Sequence, residues 1–183
     1  MLVEPKTVTL KDGRKCTLRN ATAEDAEQML DYLYKTSEDT EFVLRYPDEV
    51  NYTLEQEKQI LTDCLNQQGR IMMVADVEGK IAGNCYLSPK GFKRKMLHRA
   101  SVAIALTKEF WNNGIGSALM GYILEQADKI GYEQTELEVV SCNERAIALY
   151  KKMGFEKTGQ NLHALKLDNG TYYDEDIMIR FKK

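Results

Sequence analysis

The chain has 183 residues, 43% of them hydrophobic and 29% charged, with a formal net charge of −3. That length suits one domain, residues 1–183, with a sizeable core, and the mild acidity excludes the basic excess of a nucleic-acid binder. No apolar run approaches the ~18 residues of a membrane span and no charged-then-apolar leader opens the chain, so a cytoplasmic protein without a membrane partner is expected. The four cysteines (Cys16, Cys64, Cys85, Cys142) form no C-x-x-C pair and have no histidine at ligand spacing. They are expected to act as small buried hydrophobes, with no metal site.

In chain order, a hairpin comes first: residues 7–10 and 16–19 flank the turn signal Asp12-Gly13. A helix is predicted from about Ala23, with Thr22 as N-cap and Ala26, Met29, Leu30 and Leu33 as its apolar stripe. A second helix over residues 54–67 opens on a capping box, Thr53 and Gln56, and has Leu54, Leu61, Cys64 and Leu65 as its apolar side. Two strands, residues 71–77 and 80–87, meet at Glu78-Gly79; a third, residues 100–106, is apolar almost throughout and reads as central, covered on both faces. Between them lies a basic run, residues 90–99, best read as a solvated loop.

The next helix follows the glycines Gly114 and Gly116, places Ile115, Leu119, Tyr122, Ile123 and Ile130 on one side, and ends near Gly131. Residues 135–140 alternate as a strand, with Leu137 and Val139 opposite Glu136 and Glu138. A helix with Ala146, Leu149, Tyr150 and Met153 at helical spacing stops at Gly154. Two last strands, about residues 161–167 and 175–181, flank Asn169-Gly170. The succession describes an α+β fold, a mixed sheet flanked by helices, rather than a doubly wound one.

The segment 110–119 (Phe-Trp-Asn-Asn-Gly-Ile-Gly-Ser-Ala-Leu) carries the first chemical signal. Two glycines one residue apart stand where a polar turn becomes a helix. The first turn of a helix has N–H groups without intrahelical partners, and the dipole there favours anions. Asn112, Asn113, Gly114, Ile115, Gly116 and Ser117 can supply N–H groups to a phosphate group, and the two asparagines and the serine can add side-chain bonds. No Gly-x-x-x-x-Gly-Lys-Ser/Thr is present, which argues against a phosphotransferase.

The second signal is residues 143–155, Asn-Glu-Arg-Ala-Ile-Ala-Leu-Tyr-Lys-Lys-Met-Gly-Phe. With the glycine loop, this block resembles the GCN5-related N-acetyltransferase (GNAT) family. That pattern has a pyrophosphate loop Arg/Gln-x-x-Gly-x-Gly/Ala after the fourth strand, then Asn-x-x-Ala-x-x-Leu-Tyr-x-x-x-Gly-Phe. The match falls on Gly114, Gly116, Asn143, Ala146, Leu149, Tyr150, Gly154 and Phe155. Trp111 departs from it, standing where the family commonly has Arg or Gln. The phosphate grip is then expected from backbone N–H groups and the two asparagines.

The resemblance implies a mostly antiparallel GNAT-type sheet splayed at its fourth and fifth main strands, and acetyl-CoA as cosubstrate. It implies that Ile104 and Leu106 offer backbone groups to the amide-rich pantetheine arm, as to an added strand. Asn143 is open to two roles, N-cap of the helix that follows or hydrogen bond to the cofactor. Tyr150, a core ring by position alone, faces the cofactor sulfur in the family; its phenol, pKa near ~10, can protonate a departing thiolate. The base is open. Residues 100–106 hold no carboxylate, so Glu138, His98 and a water chain are the candidates. No cysteine lies beside a credible base, so direct transfer to a primary amine is expected.

The acceptor, a small amine or a protein or peptide amine, would meet Tyr32, Tyr34, Glu38, Asp39, Glu41 and Tyr46 and the segment 172–176. Acidic and aromatic groups suit a cation, and equally a solvated acidic face. Closing strands in this family often pair across a homodimer. The alternative from another class is a non-catalytic acyl-CoA-binding sensor on the same fold.

Overall fold

The computed structural model describes residues 1–182; Lys183, the last residue of the expected domain, lies outside them. Its strands are β1 (Lys6–Thr9), β2 (Lys15–Asn20), β3 (Ile71–Val77), β4 (Lys80–Pro89), β5 (Arg99–Leu106), β6 (Gln134–Val140), β7 (Glu156–Lys166) and β8 (Tyr172–Phe181). The helices are α1 (Ala26–Asp39), α2 (Leu54–Asn66), α3 (Ile115–Ile130) and α4 (Glu144–Lys152). The strands form one sheet in the order β1-β2-β3-β4-β5-β6-β8-β7, antiparallel at every step except β5–β6.

Strand alternation sorts the sheet into two faces, each with its own core. On one, Met73, Cys85, Leu87, Val102, Leu137 and Met178 pack against Ile115, Leu119, Tyr122 and Ile123 of α3 and Tyr150 of α4. Burying one such leucine or isoleucine is worth roughly 1.5–3 kcal/mol. On the other, Val74 and Ile81 meet Met29, Tyr32 and Leu33 of α1 and Leu61 of α2. α3 runs to Gly131 as the sequence indicates.

Several boundaries and faces differ from the sequence expectation. A 3-10 turn, Ala23–Asp25, precedes α1, and Thr22 acts by donating its N–H (2.7 Å) and hydroxyl (3.2 Å) to the Asp25 carboxylate. The Thr53–Gln56 capping box forms as expected. Leu54, however, is 40% exposed. The buried stripe of α2 is Glu57, Leu61 and Cys64. Cys142 is exposed, unlike the other three cysteines, because it lies in the turn between β6 and α4. β7 begins directly after Phe155, and residues 172–176 belong to β8 rather than preceding it.

The parallel pair β5–β6 decides where a ligand enters. Its register runs from Arg99↔Gln134 to Ser101↔Glu136 and stops. β6 then follows β8 instead, pairing along its whole length to Val140↔Glu175. The sheet is splayed between β5 and β6, the fourth and fifth main strands counted from the one that precedes α1. At the closed end Arg99 binds both Glu136 carboxylate oxygens. Burial pushes the Glu136 carboxyl up, but the Arg99 hydrogen bonds and charge, with Lys90, hold it below its usual range. In the open half Ala103 is exposed and residues 104–106 are half-buried, so β5 is not covered on both faces as expected. Among the described residues no neighbour strand remains on that side.

Candidate active site

The end of β5 is fastened before the chain turns. The Thr107 N–H donates to the Ala82 carbonyl (3.1 Å), the Lys108 N–H to the Asp39 carboxylate (2.6 Å), and the Trp111 N–H to the Lys108 carbonyl (3.1 Å). Asn112 and Gly114 then take positive φ, 66° and 93°, which swings successive N–H groups to one side. At Gly114 this geometry would cost an ordinary residue about 1 kcal/mol or more. The first bond of α3 runs from the Ala118 N–H to the Gly114 carbonyl at 3.1 Å. Between these anchors, the N–H groups of Asn112, Asn113, Gly114, Ile115, Gly116 and Ser117 have no partner among the described residues. Six donors at a helix N-terminus form an anion site, and a pyrophosphate has the oxygens to fill it.

The open edge of β5 continues this site. The carbonyls of Arg99 and Ala105 and the N–H of Thr107 all point toward β4: Arg99 accepts from the Lys90 N–H, and Ala105 from the Tyr32 hydroxyl. Alternation turns the backbone groups of Ile104 and Leu106 the other way, into the splay. The Leu106 carbonyl is already used, accepting from the Trp111 indole N–H at 2.9 Å. Both groups of Ile104 and the Leu106 N–H remain, enough for an extended amide arm to pair as an added strand.

Tyr150 reaches this cleft from α4. It is 7% exposed, packs against Phe155 at 6.0 Å between ring centroids, and its hydroxyl has no hydrogen-bond partner among the described residues. Burial, with the nearby Cys85 thiol, pushes the phenol well above its usual range. Cys85 lies opposite Ile104 in the β4–β5 register, so Tyr150 approaches the sheet beside the unpaired strand edge. Asn143 does cap its helix: its Oδ1 accepts from the Ala146 N–H at 3.2 Å, which leaves the amide NH2 free for a second partner.

The other sheet face carries the carboxylates. Glu138 is exposed, 3.8 Å from Lys90. Glu175 of β8 shares that face one diagonal step from Glu138. Burial first, then the Glu138 charge, pushes its carboxyl up. His98 stands at the opposite end of β5, six residues before Ile104; at about 3.3 Å per residue that is roughly 20 Å, too far to act as base.

The rim on this side is closed by contacts distant in sequence. Tyr173 donates its hydroxyl to Glu41 (2.7 Å) and packs on Phe42, and the Tyr46 hydroxyl accepts from the Asp168 N–H (2.9 Å). Thus the β7–β8 hairpin meets the α1–α2 connection beside the splay. Two expected acceptor residues have structural work instead. Tyr32 is 4% exposed and its hydroxyl joins Asn84 to Ala105 across β4 and β5, and Asp39 anchors Lys108. Tyr34 remains exposed on α1.

Fold, free N–H loop and splayed sheet together define an acyl-CoA-type transferase site, and comparison with known proteins agrees. The model of the acetyltransferase (GNAT) family matches residues 28–155, and the chain belongs to that family. It is similar to the L-amino acid N-acetyltransferase AaaT of Escherichia coli, 32% identical over 118 residues, 64% of this chain and 72% of the relative. Among solved structures, a GNAT-family acetyltransferase from Streptococcus pneumoniae superposes with TM-score 0.86 at 27% identity, covering 91% of this chain and 99% of that one. The fold is shared with yncA of Salmonella typhimurium, solved with its cofactor acetyl-CoA, at TM-score 0.79 and 15% identity over 91% and 93% of the two chains.

Proposed function

We propose that this chain transfers an acetyl group from acetyl-CoA to a primary amine by direct attack. The observation that carries this reading is the run of six partnerless N–H groups at the start of α3, continuous with the unpaired edge of β5 and the partnerless Tyr150 hydroxyl. A phosphate, an amide arm and a sulfur in one line suit these three features in order. When bound, acetyl-CoA supplies the thioester that the amine attacks.

The protein's own groups divide the work. Backbone N–H groups from Asn112 to Ser117 hold the pyrophosphate, and Ile104 and Leu106 align the arm. Tyr150 stays protonated at neutral pH and donates to the departing thiolate. The free amide of Asn143 lies at the start of the helix that carries Tyr150 and orients the arm. An amine arrives as an ammonium with pKa near ~10 and must lose a proton first. Glu138 takes that proton, and Glu175 stands beside it on the same face, its own carboxyl held up by burial and by the Glu138 charge. Acidic and aromatic side chains around the rim, Glu41, Tyr46 and Tyr173, suit a cationic amine.

A thiol-release assay with acetyl-CoA and a panel of amino acids, polyamines, aminoglycosides and peptide N-termini tests this. At least one class is expected to release thiol with an acetylated product detected by mass. If coenzyme A binds but no amine in any class is acetylated, a non-catalytic acyl-CoA sensor replaces the enzyme reading.

A further inference from the structure

Trp111 stands where the family pattern has a cationic or amide side chain, and its surroundings give the departure a physical meaning. Its indole is held by the N–H···O bond to Leu106 at 2.9 Å. Over its face lies the Arg145 guanidinium, 3.8 Å from the ring centroid. Arg145 is exposed and makes no ion pair or hydrogen bond with any described residue. It belongs to the first turn of α4, one turn before Leu149 on the same helix face. Leu149 Cδ2 in turn is the atom nearest to where a Gly116 side chain would begin, at 3.3 Å. The guanidinium therefore stands beside the free N–H groups of the loop.

Locally the charge is misplaced. The first turns of α3 and α4 both carry the positive end of a helix dipole, where a cation is disfavoured. Glu144 shares that first turn, but no carboxylate among the described residues forms an ion pair with Arg145, whereas an anion seated on the loop can. A guanidinium laid on an indole is also oriented in advance, so less freedom is lost when its N–H groups bind phosphate.

We infer that Arg145, laid on Trp111, is the side-chain cation this chain presents to the pyrophosphate of coenzyme A, supplied by α4 instead of by the loop. The inference rests on the acetyl-CoA reading above. Neither residue shows this alone, since the two are 34 positions apart and meet only in the fold.

Calorimetric titration of wild type, Arg145→Gln, Trp111→Ala and the double variant tests it, with coenzyme A and with dephospho-coenzyme A, which keeps the pyrophosphate and lacks the 3′-phosphate. Arg145→Gln is expected to weaken both ligands about tenfold, the effect of losing a charge-assisted hydrogen bond. The double variant is expected to be less impaired than the product of the two single losses, since the two side chains act as a unit. Turnover of S-acetylpantetheine, which carries no phosphate, should be unchanged by Arg145→Gln.

Three results would overturn the inference: wild-type affinity in Arg145→Gln, a loss confined to coenzyme A (a 3′-phosphate contact), or an equal loss with S-acetylpantetheine (general damage). Failure of the wild-type protein to bind coenzyme A is a separate outcome, which removes the cofactor reading beneath it.

Discussion

Tyr150→Phe is expected to lower kcat about 100-fold, the lower end of what a positioned general acid contributes, while the KM for acetyl-CoA changes little. The hydroxyl makes no hydrogen bond with any described residue, so its removal leaves no internal partner unsatisfied. The thermal midpoint should therefore hold. A purely structural tyrosine would give the opposite pattern, intact turnover and lower stability. The pH profile adds a second readout. Burial holds the phenol above its usual range, so it stays protonated through neutral and mildly alkaline pH. Activity should rise with pH as the amine loses its proton, with no descending limb from Tyr150 below pH ~10. A descending limb near neutrality that Tyr150→Phe abolishes would contradict this protonation state.

Gly116→Val carries the next largest effect. A Cβ at this position points between Leu149 Cδ2 at 3.3 Å and Leu106 Cδ1 at 3.7 Å, into the crevice that joins α3, α4 and the end of β5. The added methyls then lie against the N–H groups meant for the ligand. Displacing two charge-assisted hydrogen bonds is worth about 100-fold in affinity for acetyl-CoA. The helix itself should persist, because valine is no worse than glycine in a helix. Circular dichroism reports the helix and calorimetry reports the affinity. Unchanged affinity would mean that the ligand does not approach the start of α3.

How much of this was legible in the sequence follows from the range of the interactions. Local chemistry read correctly: the hairpin at Asp12-Gly13, the Thr53–Gln56 box, the glycine-opened α3 and the end of α4 at Gly154 each depend on residues a few positions apart. The loop and Tyr150 were legible for the same reason, as compact motifs. Register was not. The splay depends on β6 following β8 rather than β5, a choice between strands about 40 residues apart. Tyr32 looked like an acceptor residue, yet its hydroxyl is needed to join Asn84 and Ala105 inside the sheet. Glu57, not Leu54, turned inward, where burial pushes its carboxyl up and the nearby Arg45 charge opposes that. Glu175 was read in its strand but not beside Glu138, which depends on the β6–β8 register, and Arg145 was hidden by its distance from Trp111.

Cofactor binding depends on the six N–H groups from Asn112 to Ser117 that have no partner among the described residues. Backbone amide resonances of the 15N-labelled protein, followed as coenzyme A is added to roughly 1 mM, the top of the usual KM range, read them directly. The largest shifts should fall on residues 112–117 and on Ile104 and Leu106, with the β1–β2 turn unmoved. If coenzyme A leaves the loop amides where they were, the phosphate is not held there and the proposed reaction loses its site.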